Sequence, residues 1–281
     1  LRTAQFVGLA TRQIEGFTSA QAAALTTLQI QALTSVQVPA IATLDLQALT
    51  TVQLVALLSG QVASLARNQV AALTTQQAQA VTTAQIVALT TGQISAIQTA
   101  GLQALTTAQV VAFETLDLQA LTTTQVASFN TAQTSALTVA QLASMLTGQI
   151  QSLTTSQVSS LTTAQVVALT SQQVVSLASA GLQALRTAQI AALSTAQVNA
   201  LALKQVADLV SGQFQALTSL QLRALTPAQV RAVETDDLRA LTTLQLQALD
   251  TGNLQALTTV QFGSLTTLQI AALTTGQVAA L

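Results

Sequence analysis

The chain has 281 residues, half of them apolar, with a net charge of −1 and only 6% charged residues. It contains no Trp, Tyr, His or Cys, which excludes disulfides and thiolate zinc sites and removes the commonest general acid–base group. The near-zero charge supplies neither a basic footprint for nucleic acid nor a polybasic patch for an anionic membrane. No segment reaches the roughly 18 uninterrupted apolar residues of a membrane span, and no signal peptide is visible, because the first residues already follow the pattern described next.

From Leu1 onward every eighth residue is apolar: Leu9, Phe17, Leu25, Leu33, Ile41, Leu49, and so on to Leu281. The sequence is therefore 35 consecutive octads and a closing leucine, with no insertion or deletion. Such self-similarity decides the architecture before any local motif does. Position three of the octad is Ser or Thr in 31 of 35 copies, and position five is Gln in 29. Position six is nearly always Val, Leu or Ile, and position eight is small everywhere except Asp208. Positions four and seven vary freely, as exposed sites do.

Thr at position two and Gln at position five have the spacing of a helix capping box, with the apolar residues at positions one and six as its hydrophobic staple. One continuous helix fails on arithmetic. Eight residues at about 100° each advance roughly 800°, so an apolar stripe would slip by about 80° per octad. The helix must restart in each octad and run from position three to position eight. A helix that short is unstable alone, so stability must come from packing against neighbouring turns. The expectation is an all-α solenoid of about 35 very short N-capped helices, spanning residues 1–281 as a single uninterrupted array, either part of a longer array or able to stack end to end on other copies. The alternative is a β-solenoid with Thr and Gln ladders, favoured by the Thr and Val content but opposed by the opposite parity of positions one and six.

Several departures stand out along the chain. Pro39 at position seven removes a hydrogen bond from inside its helix, whereas Pro227 falls at N1, where proline is tolerated. Gln at position five is replaced by Asp45, Gly101, Asp117, Gly181, Asp237 and Asn253, each followed by Leu. The last three lie 136 residues after the first three. Thr at position two is replaced in the octads starting at 9, 41, 65 and 97, and again at 145, 177, 201 and 233, with gaps of 32, 24 and 32 residues within each set. A duplicated block of 17 octads and a superhelical turn of roughly 3.4 octads both account for this order.

For chemistry the sequence offers little. The Ser and Thr hydroxyls read as caps, and no catalytic, cofactor-binding or metal-ligating residue is assigned. Glu114 with Asp117, and Glu234 with Asp236 and Asp237, are the only acidic clusters. They read as acids in a helix first turn, with a Ca²⁺ site as the sharper alternative. Arg223, Arg231 and Arg239 recur at position seven and form a solvated face or a short row for an acidic partner. The isolated glycines at position four (Gly60, Gly92, Gly148, Gly212, Gly252 and Gly276) make no phosphate-binding fingerprint.

The run Leu-Thr-x-x-Gln, as in Leu121 to Gln125 and Leu265 to Gln269, resembles the LTxxQ motif of small helical periplasmic chaperones, a likeness attributable to capping. The array as a whole resembles the Thr/Ala/Gln-rich repeat regions of large secreted bacterial surface proteins of the adhesin-like kind. That resemblance implies an extracellular or cell-surface setting. The expected role is a non-enzymatic stalk, fibre or filament subunit that associates with itself. The alternative is a binding or adhesion module presenting a regular Thr/Gln surface to a protein, a glycan or ice.

Overall fold

Each octad builds one helix. The computed structural model describes residues 2–281, and among them 34 α-helices and one 3₁₀-helix follow one another, one per octad. No strand occurs among the described residues. The architecture is all-α, and the β-solenoid alternative is not supported. The helices begin at position three, as the capping-box register requires, and end at position six, seven or eight after four to six residues. The N-cap residue at position two is extended, for example Thr162 with φ −75° and ψ 158°.

The chain forms two compact units, Leu1–Met145 and Leu146–Leu281. Within each unit a helix packs on the one three octads further along. Thr163–Ala168 lies against Thr187–Ala192 in the second unit, and Thr83–Ala88 lies against Ser59–Ala63 in the first. Positions one and six fill the interior: Val158, Leu161, Val166, Leu182 and Ile190 are completely buried. The staple pair at the start of each helix is thus also the core of the coil. Small residues at position eight sit at partly covered helix ends, where a larger side chain would hold the turns apart.

Side-chain hydrogen bonds between turns span 25 to 31 residues within each unit. A turn therefore takes between three and four octads, which brackets the value suggested by the replaced caps at position two. The replacements do not keep to one flank, however: Ala178, Arg186, Ser194, Ala202 and Val210 occupy five consecutive octads, more than one full turn of the coil.

Pro39 acts as the sequence predicts. Its octad is the one with no α-helix, and a 3₁₀-helix, Val38–Ala40, takes its place. The amides of Gln37 and Val38 still reach the Thr34 carbonyl at 3.0 and 3.1 Å, so the helix start survives and only the last turn tightens. Pro39→Ala restores an N–H to position seven. It is expected to extend the helix through this octad and to stabilise the first unit by roughly 1–3 kcal/mol. Thermal unfolding followed by far-ultraviolet circular dichroism checks this, and an unchanged or lower Tm contradicts it.

Candidate functional site

A six-residue helix leaves most of its backbone amides and carbonyls without intrahelical partners. The feature that resolves this is the glutamine at position five, and it recurs in most octads. Gln197, only 2% exposed, shows the arrangement. Its Oε1 accepts from the N-cap amide of Ser194 at 2.7 Å. Its Nε2 donates to the carbonyls of Val166, Val167 and Leu169 at 3.0, 3.4 and 2.6 Å, which lie 31, 30 and 28 residues earlier, at the end of a helix in the preceding turn. Gln53 and Gln61 in the first unit make the same set with Ala22, Ala23 and Leu25, and with Ile30, Gln31 and Leu33. One side-chain amide thus joins the N-terminus of one helix to the C-terminus of another. This favours both ends electrostatically, because the carboxamide dipole continues the peptide dipoles on either side.

The capping box is therefore only part of what this residue does. The hydroxyl half is long, 3.1 to 3.3 Å from Thr Oγ1 to the Gln amide at the Thr positions. Where position two cannot accept, the glutamine half persists. Gln13, Gln61 and Gln69 still accept from the amides of Ala10, Leu58 and Ala66 at 2.7 to 2.8 Å. Even beside Pro39, Gln37 accepts from the Thr34 amide at 2.8 Å and donates to Phe6 and Leu9 at 2.9 and 2.7 Å. Sequence reasoning reached the local bond and missed the lateral ones. The available signal was the absence of Glu at position five, since Glu closes a capping box as well as Gln but cannot donate.

A second ladder runs the other way. Polar residues at position seven donate to position-eight carbonyls 25 residues later: Gln47 to Ala72 at 2.6 Å, Gln119 to Ser144 at 2.7 Å and Asn199 to Ala224 at 2.7 Å. Arg223 and Arg231 join it, with Nε donating to Ala248 and Ala256 at 3.2 Å. Both arginines therefore hold a helix C-terminus in the next turn, rather than forming a merely solvated row.

The departures at position five alter the relay in distinct ways. Asn253 keeps a donor and reaches the Leu225 carbonyl at 2.8 Å. Asp117 keeps an acceptor, its Oδ2 taking the Glu114 amide at 3.0 Å. Asp45 and Asp237 turn instead to a serine 26 residues earlier, accepting from Ser19 and Ser211 at 2.8 and 2.6 Å. Gly101 supplies neither function, and a Cβ there would meet Ile97 at 3.1 Å, so apolar packing occupies the space. Asp237 is 3% exposed and its Oδ2 is buried without a partner. Burial pushes its carboxyl above the ordinary Asp value, with Glu234 and Asp236 adding to the rise and the Ser211 hydroxyl opposing it. At position eight, the Ser179 hydroxyl and then Lys204 hold Asp208 below the usual range; Lys204 Nζ lies 2.9 Å from its carboxylate.

Positions two, three and four face outward. Leu220, Leu244 and Leu268 at position four are 66%, 73% and 77% exposed, on helices that stack successively in the second unit. No group of three His, Cys, Asp or Glu side chains converges among the described residues. No helix is long and apolar enough to cross a membrane among those residues.

A family model described as the ALTTAQ repeat matches residues 1–35, 38–75, 110–147, 144–179, 174–211, 230–267 and 247–281, together well over half of the chain. The Leu-Thr-x-x-Gln run that carries the cap is contained in that repeat's name. No curated protein matches the chain.

Two substitutions test the relay. Gln197→Glu keeps the acceptor but replaces the donor with a buried charge, and it is expected to destabilise by about 3–5 kcal/mol at neutral pH. The loss should shrink on acidification, because a protonated carboxyl donates again. A helix-capping role alone predicts near-neutrality, so equal stability in denaturant titration overturns the relay. For Asp237 the folded-state pKa is raised. Its contribution is fully present below the ordinary Asp value and is lost as pH rises through the raised one. In chelator-treated buffer Asp237→Asn should remove that dependence. It should also gain about 1–3 kcal/mol at neutral pH, by a donor bond of the kind Asn253 makes.

Proposed function

The chain belongs to the ALTTAQ repeat family, and from that premise we propose a non-enzymatic structural role as the stalk, fibre or filament subunit of a secreted or cell-surface bacterial assembly. The observation that carries this reading is the glutamine relay. Within each unit, turns present carboxamide donors toward the preceding turn and helix-end carbonyls toward the following one. Turns add by one repeated set of bonds, whether the next turn belongs to the same array or to another copy. In repeat arrays of this kind stability accumulates from neighbour-to-neighbour interfaces, which suits a part whose purpose is length. The two units are read as portions of one uninterrupted array, since the octad phase runs from Leu1 to Leu281 without a break.

Composition supports the same reading. A net charge of −1 on 281 residues offers little self-repulsion against end-to-end association. The hydroxyls at position two are engaged as caps, as Thr162 is with Gln165, so the abundant Ser and Thr need no catalytic explanation. The cell-surface setting and the likeness to adhesin-type repeat regions enter as parts of this proposal.

A binding or adhesion role is the second reading, and the exposed leucines at 220, 244 and 268 favour it. The surface offered would be threonine with apolar insertions, because the position-five glutamines lie inside. A glycan partner is the less suited, as the chain carries six Phe and no Trp or Tyr, and ice recognition by a flat threonine array belongs to the unsupported β form. Negative-stain microscopy of the purified chain over a concentration series separates the two. Rods that lengthen with concentration support the structural role. Particles of one size at all concentrations, retained on bacterial surface material in a sedimentation assay, replace it with the binding role.

A further inference from the structure

We propose that the buried oxygens around Asp237 form a binding site for Ca²⁺. At glutamine octads three backbone carbonyls converge on one atom. Around Gln229 Nε2 they are those of Val198, Asn199 and Leu201, at 3.1, 3.1 and 2.8 Å. The corresponding carbonyls for Asp237, in the same register one octad later, belong to Val206, Ala207 and Leu209. Asp237 is one methylene shorter than Gln and brings no N–H. By that register, the seat that holds an amide nitrogen elsewhere offers only oxygen here. One carboxylate oxygen, Oδ2, is buried with no hydrogen-bond partner, while Oδ1 is held by the Ser211 hydroxyl at 2.6 Å.

A carboxylate oxygen that is buried and unpartnered calls for a cation. The donor set is one carboxylate with backbone carbonyls, as hard cations use, and it does not require several acidic side chains to meet. Carbonyls spaced as around Gln229, 2.8 to 3.1 Å from the centre, are too far for Mg²⁺, which needs about 2.0–2.1 Å. They close to the roughly 2.3–2.6 Å of Ca²⁺ with a shift of a few tenths of an ångström. The surroundings favour a divalent ion over a monovalent one. Glu234 and Asp236 lie within three residues of Asp237 and face solvent; with Arg231 and Arg239 at the ends, the segment still carries net negative charge. Asp45 provides an internal comparison. It is buried and held by Ser19 at 2.8 Å, yet no other acid lies in its octad.

The test is calorimetric titration of the full chain with CaCl₂ in chelator-treated buffer at neutral pH, paired with thermal unfolding by circular dichroism. One Ca²⁺ should bind per chain with a dissociation constant in the 0.1–1 mM range typical of weak extracellular sites. Tm should rise by a few degrees at saturation, and Mg²⁺ at the same concentration should leave it unchanged. Asp237→Asn, which folds with a donor in the same seat, should abolish both signals, whereas Asp45→Asn should retain them. No heat of binding up to about ten millimolar Ca²⁺, an equal effect of Mg²⁺, or a Ca²⁺ response that persists in Asp237→Asn each overturns the site.

Discussion

A helix of six residues has almost no inside, and nearly all of its backbone polar groups are end groups. Everything in this fold follows from that constraint. Left to water, such a helix does not persist. Left buried without partners, its ends are costly. The chain resolves the conflict with one carboxamide per octad, which meets an orphan amide on one side and orphan carbonyls on the other. Glutamine suits this because its long, flexible side chain ends in an uncharged amide whose separate oxygen and nitrogen can accept on one side and donate on the other. Glu, Lys or Arg would bury an uncompensated ion at the same point, while Asn, as at 253, reaches the carbonyl but leaves the local amide to another group.

The relay also explains why the period is eight. A helix of up to six residues fills positions three to eight, and two extended residues, such as Leu49 with ψ 135° and Thr50 with ψ 158°, redirect the chain before the next helix begins. The redirection is similar in every octad, so the path coils, and the coil closes after between three and four octads. A non-integral number matters. With three or four octads per turn, helices would stack in straight columns with each N-terminus beside another N-terminus. The observed offsets of 28 to 31 residues in one direction and 25 in the other instead place helix starts over helix ends. Opposite ends of the helix dipole therefore face each other across turns.

What could be read from sequence was what is local. Thr at position two, Gln at five and the apolar pair at one and six all act within a single octad, so their register predicted the helix starts. Pro39 likewise disturbs only the turn it occupies. The lateral half of Gln197 was hidden because its partners Val166 and Leu169 lie a full turn away, beyond any motif of eight residues. The same holds for Arg223 and Arg231, which look free in sequence and bind carbonyls 25 residues later. Position seven varies because several side chains, Gln, Asn and Arg among them, can make that bond, and Ala or Val can omit it. Variability there reports tolerance among donors as well as exposure.

The six exceptions at position five have a common physical meaning. Each alters the relay at one octad whose neighbouring octads keep their glutamine, so the coil survives while one seat changes character. Glycine closes the seat by packing, asparagine keeps a single carbonyl bond, and aspartate reverses the polarity of what the seat accepts. The positions recur at a 136-residue shift, yet their identities do not: Asp45 pairs with Gly181, Gly101 with Asp237, and Asp117 with Asn253. If only the loss of glutamine mattered, one replacement would serve throughout. The opening is kept and the occupant varies, as expected when a scaffold fixes where a seat can be modified and a separate demand decides what fills it.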